Sequence, residues 1–133
     1  MAYLVDSDMV IDFLGDDPQT LTLFDTLVAA GGIYVSLLSY METFQGVIDG
    51  GLSQDDQDKF TAFFTSVPVL SLTQAIAIRC AYLRSALKRQ GKSVRRRVVD
   101  LLIAATALEH GMELVTRNTD DYKDIPGLTL YRL

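Results

Sequence analysis

A three-layer α/β/α architecture, with helices on both faces of a mostly parallel sheet of about five strands, is the fold class this sequence predicts. Three observations carry it. Five short apolar runs of strand length, Tyr3–Asp6, Ile33–Ser36, Val67–Leu72, Glu113–Thr116 and Leu128–Tyr131, are spread along the chain. Longer segments with helical start and stop signals fill most of the intervals, which makes βαβ crossovers and parallel pairing the natural connection. The segment from Arg95 to His110 is apolar on nearly every face, as a helix packed in the centre of a domain is.

Taken in order, Tyr3–Asp6 is a buried first strand that ends in an acid. Asp17-Pro18 is an N-cap followed by proline at the first helical position, and Gly31 or Gly32 stops that helix. After the second run, Ser39-Tyr40-Met41-Glu42 has capping-box spacing. Phe60, Phe63 and Phe64 follow helical spacing and read as core or as a groove for a partner. Pro68 makes the third run suitable for a sheet edge or a strand start. Thr73 opens a helix with the stripe Ile76, Cys80, Leu83, Leu87, and Gly91 ends it. The Arg95–His110 helix stops at Gly111. No repeat or Pro/Ser-rich linker interrupts the 133 residues, so 1–133 reads as one domain.

Composition narrows the function classes. At 49% hydrophobic and 22% charged the chain is that of a folded protein, and no run approaches the roughly 20 apolar residues of a membrane span. The start, Met1 to Asp6, lacks the features of a signal peptide. A lone cysteine, Cys80, cannot form an intrachain disulfide, and with these features a cytoplasmic location is expected. A net charge of −5 argues against a passive nucleic-acid binder, which neutralises phosphates with a basic face. Metal-assisted chemistry on nucleic acid stays open, because surplus carboxylates can hold cations.

In an open parallel sheet, ligands bind beyond the carboxyl ends of the strands where strand order reverses. Asp6 stands at the end of the first strand, a step before Asp8, which reads as a helix cap. Glu42 follows the second strand, where the capping box and a functional role are equally good readings. Asp100 is the only acid between Lys92 and Glu109, in the most apolar helix of the chain. A carboxylate there needs a cation or one of Arg95, Arg96 and Arg97 as partner. The loop Thr116-Arg117-Asn118-Thr119-Asp120-Asp121 brings further oxygen donors, although Asp120 reads as turn chemistry. An all-oxygen set without Cys or His suits Mg²⁺ or Mn²⁺, and such ions serve phosphodiester hydrolysis. Arg95-Arg96-Arg97, with Lys88, Arg89 and Lys92 upstream, is the one basic patch and reads equally as solvated surface or as a phosphate contact. Cys80 reads as core, and His110 as a surface residue at a helix C-terminus.

Four segments in register resemble the successive motifs of VapC-type PIN domains. They are Val5-Asp6-Ser7-Asp8 with Ile11 to Leu14; Ser36 to Glu42 with Gly46-Val47; Asp100 to Ala107; and Leu114 to Asn118 with Asp121-Tyr122 and Ile125 to Leu128. The resemblance implies a PIN-like fold and a Mg²⁺- or Mn²⁺-dependent endoribonuclease that cuts by water attack, the toxin of a type II toxin–antitoxin pair. It also implies that Asp6, Glu42 and Asp100 form the acidic core, joined by Asp121, with Asn118 where many members carry a fourth acid. Thr116 resembles a polar residue that positions water at the metal. A homodimer and a cognate VapB-type antitoxin, whose tail blocks the acidic pocket, are further implications, beside the RNA substrate.

Two rivals remain at this level. Asp6-Ser7-Asp8-Met9-Val10 fits the opening motif of haloacid-dehalogenase phosphatases, with Asp6 as nucleophile and Asp8 as acid/base, but no convincing lysine follows a strand. A non-catalytic interaction module on the same fold would not need Asp6, Glu42 and Asp100 together. A receiver domain lacks its phospho-accepting Asp after Val67–Leu72.

Overall fold

The computed structural model describes residues 1–133. The elements run β1 (Tyr3–Val5), α1 (Ser7–Leu14), α2 (Pro18–Ala30), β2 (Ile33–Ser36), α3 (Leu37–Asp49), α4 (Gln54–Ser66), β3 (Val69–Leu70), α5 (Gln74–Arg89), α6 (Val98–His110), β4 (Glu113–Val115) and a 3₁₀ turn, Thr119–Asp121. The sheet order is β3-β2-β1-β4 and every pairing is parallel. Four strands form it rather than about five. The Leu128–Tyr131 run joins only through a single parallel bridge, Leu130 to Leu114, with Tyr131 N–H donating to the Leu114 carbonyl. Pro126-Gly127 turns the chain just before it and leaves too little extended backbone for a ladder.

Alternation along the strands divides the core in two. Leu4 and Leu114 face the layer of α5 and α6, where Ile76, Cys80, Leu83, Leu87, Leu101 and Ile103 are buried. Val5, Val35 and Val115 face the opposite layer, with Met9, Val10, Phe24, Leu27 and Phe63 from α1, α2 and α4. Phe13, Phe24 and Phe63 meet there with ring centroids 5.0–6.2 Å apart, a spacing that adds to simple area burial. No helix is long and apolar enough to cross a membrane.

The helix ends explain three differences from expectation. Ser36, not Ser39, caps α3, accepting the Ser39 N–H at 3.0 Å. The Ser39–Glu42 pair is therefore not a capping box; it lies inside the helix and frees Glu42 for other contacts. Asp6, not Asp8, caps α1, through the Ser7 N–H at 2.8 Å. The last long helix begins at Val98, with Arg95, Arg96 and Arg97 in the turn before it. Gly111 ends that helix in the left-handed conformation, φ 64°, which glycine adopts without strain.

Candidate functional site

β1 sits in the middle of the sheet, β2 and β3 on one side and β4 on the other, so strand order reverses around it. The carboxyl end of β1 is therefore where a ligand site is expected, and the first residue past it is Asp6. Asp6 is 6% exposed, an ordinarily costly place for a carboxylate. Four donors surround it. The Ser7 N–H at 2.8 Å and the Ser39 hydroxyl at 3.4 Å reach Oδ1, and the hydroxyls of Thr116 (3.0 Å) and Tyr122 (3.2 Å) reach Oδ2. Ser36 continues the chain by donating to the Ser39 hydroxyl at 3.2 Å. No cation is among these partners.

Each neighbouring acid comes from a different element. Glu42, one turn into α3, accepts the Ser7 hydroxyl at 3.1 Å. Asp100 projects from the first turn of α6 and accepts the Tyr122 hydroxyl at 3.2 Å. Asp8 accepts the N–H groups of Met9 and Arg117 at 2.8 and 2.9 Å. Burial, first of all, raises the pKa of all four carboxyls. Mutual repulsion adds to it: Asp6 is pushed further by Asp100, Asp8 by Asp6, and Glu42 by Asp6, Asp100 and Asp8. Hydrogen bonds pull Asp6 and Asp100 back only in part. The carboxylates thus share a field of excess negative charge.

Tyr122 is the central structural device of the site. Its ring is 1% exposed, and its hydroxyl lies 3.2 Å from both Asp6 Oδ2 and Asp100 Oδ1. Burial and the two carboxylates push the phenol well above its ordinary pKa, so it stays protonated. One proton serves one carboxylate at a time. The second contact becomes favourable when that carboxyl is protonated or when a cation neutralises the pair.

The remaining expected residues divide. Thr116 is buried and binds Asp6 directly, so its role runs through a carboxylate rather than through water alone. Asn118 is exposed; its backbone N–H donates to the Thr116 hydroxyl at 3.1 Å, and its side chain makes no hydrogen bond. Asp121 is exposed in the 3₁₀ turn and acts on Asp100 through its charge. Arg97 does not bond Asp100: it makes a two-pronged pair with Asp124 at 2.9 and 2.7 Å and donates to the Asp121 carbonyl at 3.0 Å. Arg95 and Arg96 are exposed without ion pairs. The sequence reading missed Ser7, Ser39, Tyr122 and Asp124. Tyr122 alone carried a signal, since a tyrosine in a buried position needs a partner for its hydroxyl.

The donor chemistry fits a hard divalent cation: oxygen only, surplus charge, and no lysine or arginine bonded to Asp6, Glu42 or Asp100. No three of the acids are drawn together into a ready-made coordination cluster. An apolar cleft of about 420 Å³ between α1, α2 and α4, lined by Phe13, Phe24 and Phe63, contains none of these acids.

The PIN domain family model matches residues 3–128. Over 131 residues the chain is 24% identical to Ribonuclease VapC2 of Rickettsia felis, covering 98% of this chain and 96% of that one. Over 98 residues it is 28% identical to a tRNA(fMet)-specific endonuclease VapC of Shigella flexneri, covering 74% and 73%. Among solved structures, VapBC2 from Rickettsia felis bound to a DNA fragment from its promoter superposes with a TM-score of 0.88 at 23% identity, over 100% and 99% of the two chains. A toxin–antitoxin complex from Klebsiella pneumoniae gives 0.76 at 26% identity, over 99% and 100%.

Proposed function

The chain belongs to the PIN domain family, and from that premise we propose that it is a divalent-metal-dependent endoribonuclease, the toxin of a VapBC-type toxin–antitoxin pair. The observation that carries the reading is the set of Asp6, Glu42 and Asp100, contributed by three elements around the switch point of the sheet and bonded to hydroxyl and N–H groups but to no lysine or arginine. Mg²⁺ or Mn²⁺ would be held by Asp6 and Asp100, with Glu42 and the nearby Asp121 contributing charge. Bound there, the ion supplies Lewis-acid chemistry: charge to offset the phosphodiester and a lowered pKa for attacking water.

The protein's own groups supply the order. Thr116, Ser39 and Tyr122 fix the orientation of Asp6, and the Tyr122 hydroxyl lies between it and Asp100, at 3.2 Å from each. Ser7 steers Glu42 toward the same space. Arg117 holds the Thr116–Asn118 loop in place, pairing with Asp12 at 2.7 Å while its N–H caps Asp8. Asn118 stands exposed at the rim, placed to meet substrate, and Arg95 and Arg96 offer charge to phosphates beside the start of α6. Arg97 acts as a positioning residue through Asp124.

The rest of the reading follows from the relatives, which are a ribonuclease, an endonuclease and toxin–antitoxin complexes. We infer one nuclease domain over 1–133, a homodimer, a cytoplasmic setting and a VapB-type antitoxin. Exposed Leu37, Met41 and Ile48 on one side of α3, beside Phe44 and Phe60, provide apolar surface suited to a protein partner. The phosphatase alternative loses support because no lysine is among the hydrogen-bond partners of Asp6. Incubating the purified chain with total RNA tests the function. Discrete cleavage with Mg²⁺ or Mn²⁺ that stops in EDTA is expected. Cleavage that continues at the same rate in EDTA, or in Asp6→Asn, overturns the assignment.

A further inference from the structure

The positive charge of this acidic chain is segregated. Eight of its twelve Lys and Arg residues lie between Arg79 and Arg97, and no Asp or Glu occurs from residue 59 to residue 99. Three of the eight are consumed by ion pairs: Arg79 with Glu109, and Lys92 and Arg97 with Asp124. Arg84, Lys88, Arg89, Arg95 and Arg96 are exposed and have no acidic partner. Lys88 and Arg89 gain from the C-terminal end of the α5 dipole. That reason does not reach Arg84, which faces a like charge four residues on at Lys88, a spacing that disfavours the helix. Arg84, Ser85, Lys88 and Arg89 line a shallow open depression on α5, and Tyr82, 73% exposed, lies on the neighbouring strip of the same helix.

This face is rigidly joined to the acidic centre. Asp124 grips Lys92 and Arg97 from both sides of the α5–α6 turn, and Arg97 also holds the Asp121 carbonyl. Asp100 follows three residues later. The turn therefore runs from the basic end of α5 to the start of the site. An acidic centre alone repels a polyanion, so substrate affinity must be drawn from charge elsewhere.

We propose that the C-terminal half of α5, Arg84, Lys88 and Arg89 with Tyr82, continued by Arg95 and Arg96, is a binding track for single-stranded RNA flanking the scissile bond. The guanidinium and ammonium groups take backbone phosphates, and Tyr82 offers a ring on which an unpaired base stacks, which a base inside a duplex cannot do. The proposal rests on the nuclease reading for the identity of the substrate, and it extends that reading to long, unstructured RNA.

The test measures affinity for a 30-nucleotide unstructured RNA in EDTA, as a function of salt, for the wild type and for Arg84→Gln/Lys88→Gln/Arg89→Gln. Three lost phosphate contacts at about 0.7 each reduce the slope of log K against log salt by about 2. Arg84→Lys/Arg89→Lys retains the wild-type slope, which separates charge from folding, and Tyr82→Ala weakens binding roughly tenfold with the slope unchanged. With Mn²⁺ added, the preference in kcat/KM for a 30-mer over a 6-mer shrinks in the triple variant. An unchanged slope and an unchanged length preference in the triple variant overturn the track while leaving the nuclease intact. RNA binding that needs this face in a wild type that cuts nothing keeps the track and removes the nuclease.

Discussion

Asp100 and Asp124 both act on Arg97 and are opposite in kind. Asp124 accepts three bonds from Arg97 and Lys92, and those cations hold its carboxyl well below the ordinary carboxylate range. Asp100 has a phenol as its one side-chain partner, and burial with the nearby Asp121 raises its pKa. One acid is neutralised and pins a turn. The other has no lysine or arginine bonded to it at the mouth of a sheet. Burying a carboxylate without a paired cation is costly, which is why the proposed function rests on Asp100, while its paired neighbour holds the turn.

Exchanging each for its amide gives the sharpest break between them. Asp100→Asn is expected to lower cleavage about a thousandfold, the order of several kcal/mol of lost charge stabilisation at the site, with little loss of stability. Asp124→Asn is expected to cost about 1–3 kcal/mol of stability, since it strands Arg97 and Lys92 in a partly buried pair. Rate assays beside denaturant melts check both. Equal effects of the two variants on both readouts would erase the distinction.

A smaller effect sharpens the role of the tyrosine. Tyr122→Phe removes the hydroxyl shared by Asp6 and Asp100 and keeps the buried ring, so divalent-ion affinity is expected to fall about 10-fold or more. Calorimetric titration with Mn²⁺ measures it, and an unchanged Kd would make Tyr122 a packing residue only.

The smallest effect is on pH. Asp6, Asp8, Glu42 and Asp100 have pKa values raised by folding, so they destabilise the metal-free protein at neutral pH. That penalty disappears as pH falls through their raised values toward the ordinary 3.8 and 4.5. Asp124 runs the other way: its stabilisation is complete above the ordinary 3.8 and is lost only below it. As pH falls from neutral toward those ordinary values in EDTA, the melting temperature is therefore expected to rise. A fall over that window would mean the acids of the centre are already compensated.

Much of this was legible in the residues. Periodicity and caps placed β1, α2, β2, α5, α6 and β4, because those elements bury continuous apolar stripes that sequence spacing records. Leu128–Tyr131 misled because an apolar run does not reveal whether a neighbour offers a full ladder. The acids Asp6, Glu42 and Asp100 stood out against apolar surroundings. Their hydroxyl partners Ser7 and Ser39 did not, since they meet Glu42 and Asp6 through packing across 35 and 33 positions, and the pairing of Tyr122 with Asp6 spans 116. Arg97 was read as a partner of Asp100 or of phosphate because sequence proximity hides a competitor 27 positions away, Asp124.

The central claim is that Asp6 and Asp100 form an uncompensated cation site. Thermal melts of wild type, Asp6→Asn and Asp100→Asn, each in EDTA and in excess Mg²⁺, test it most directly. The wild type is expected to gain about 2.7 kcal/mol at an ion concentration 100 times Kd. Each amide variant gains much less, and at least one melts at or above the wild type in EDTA, because like charges no longer oppose each other. A wild type indifferent to Mg²⁺, with both variants less stable than it in EDTA, would show these acids to be structural and contradict the account.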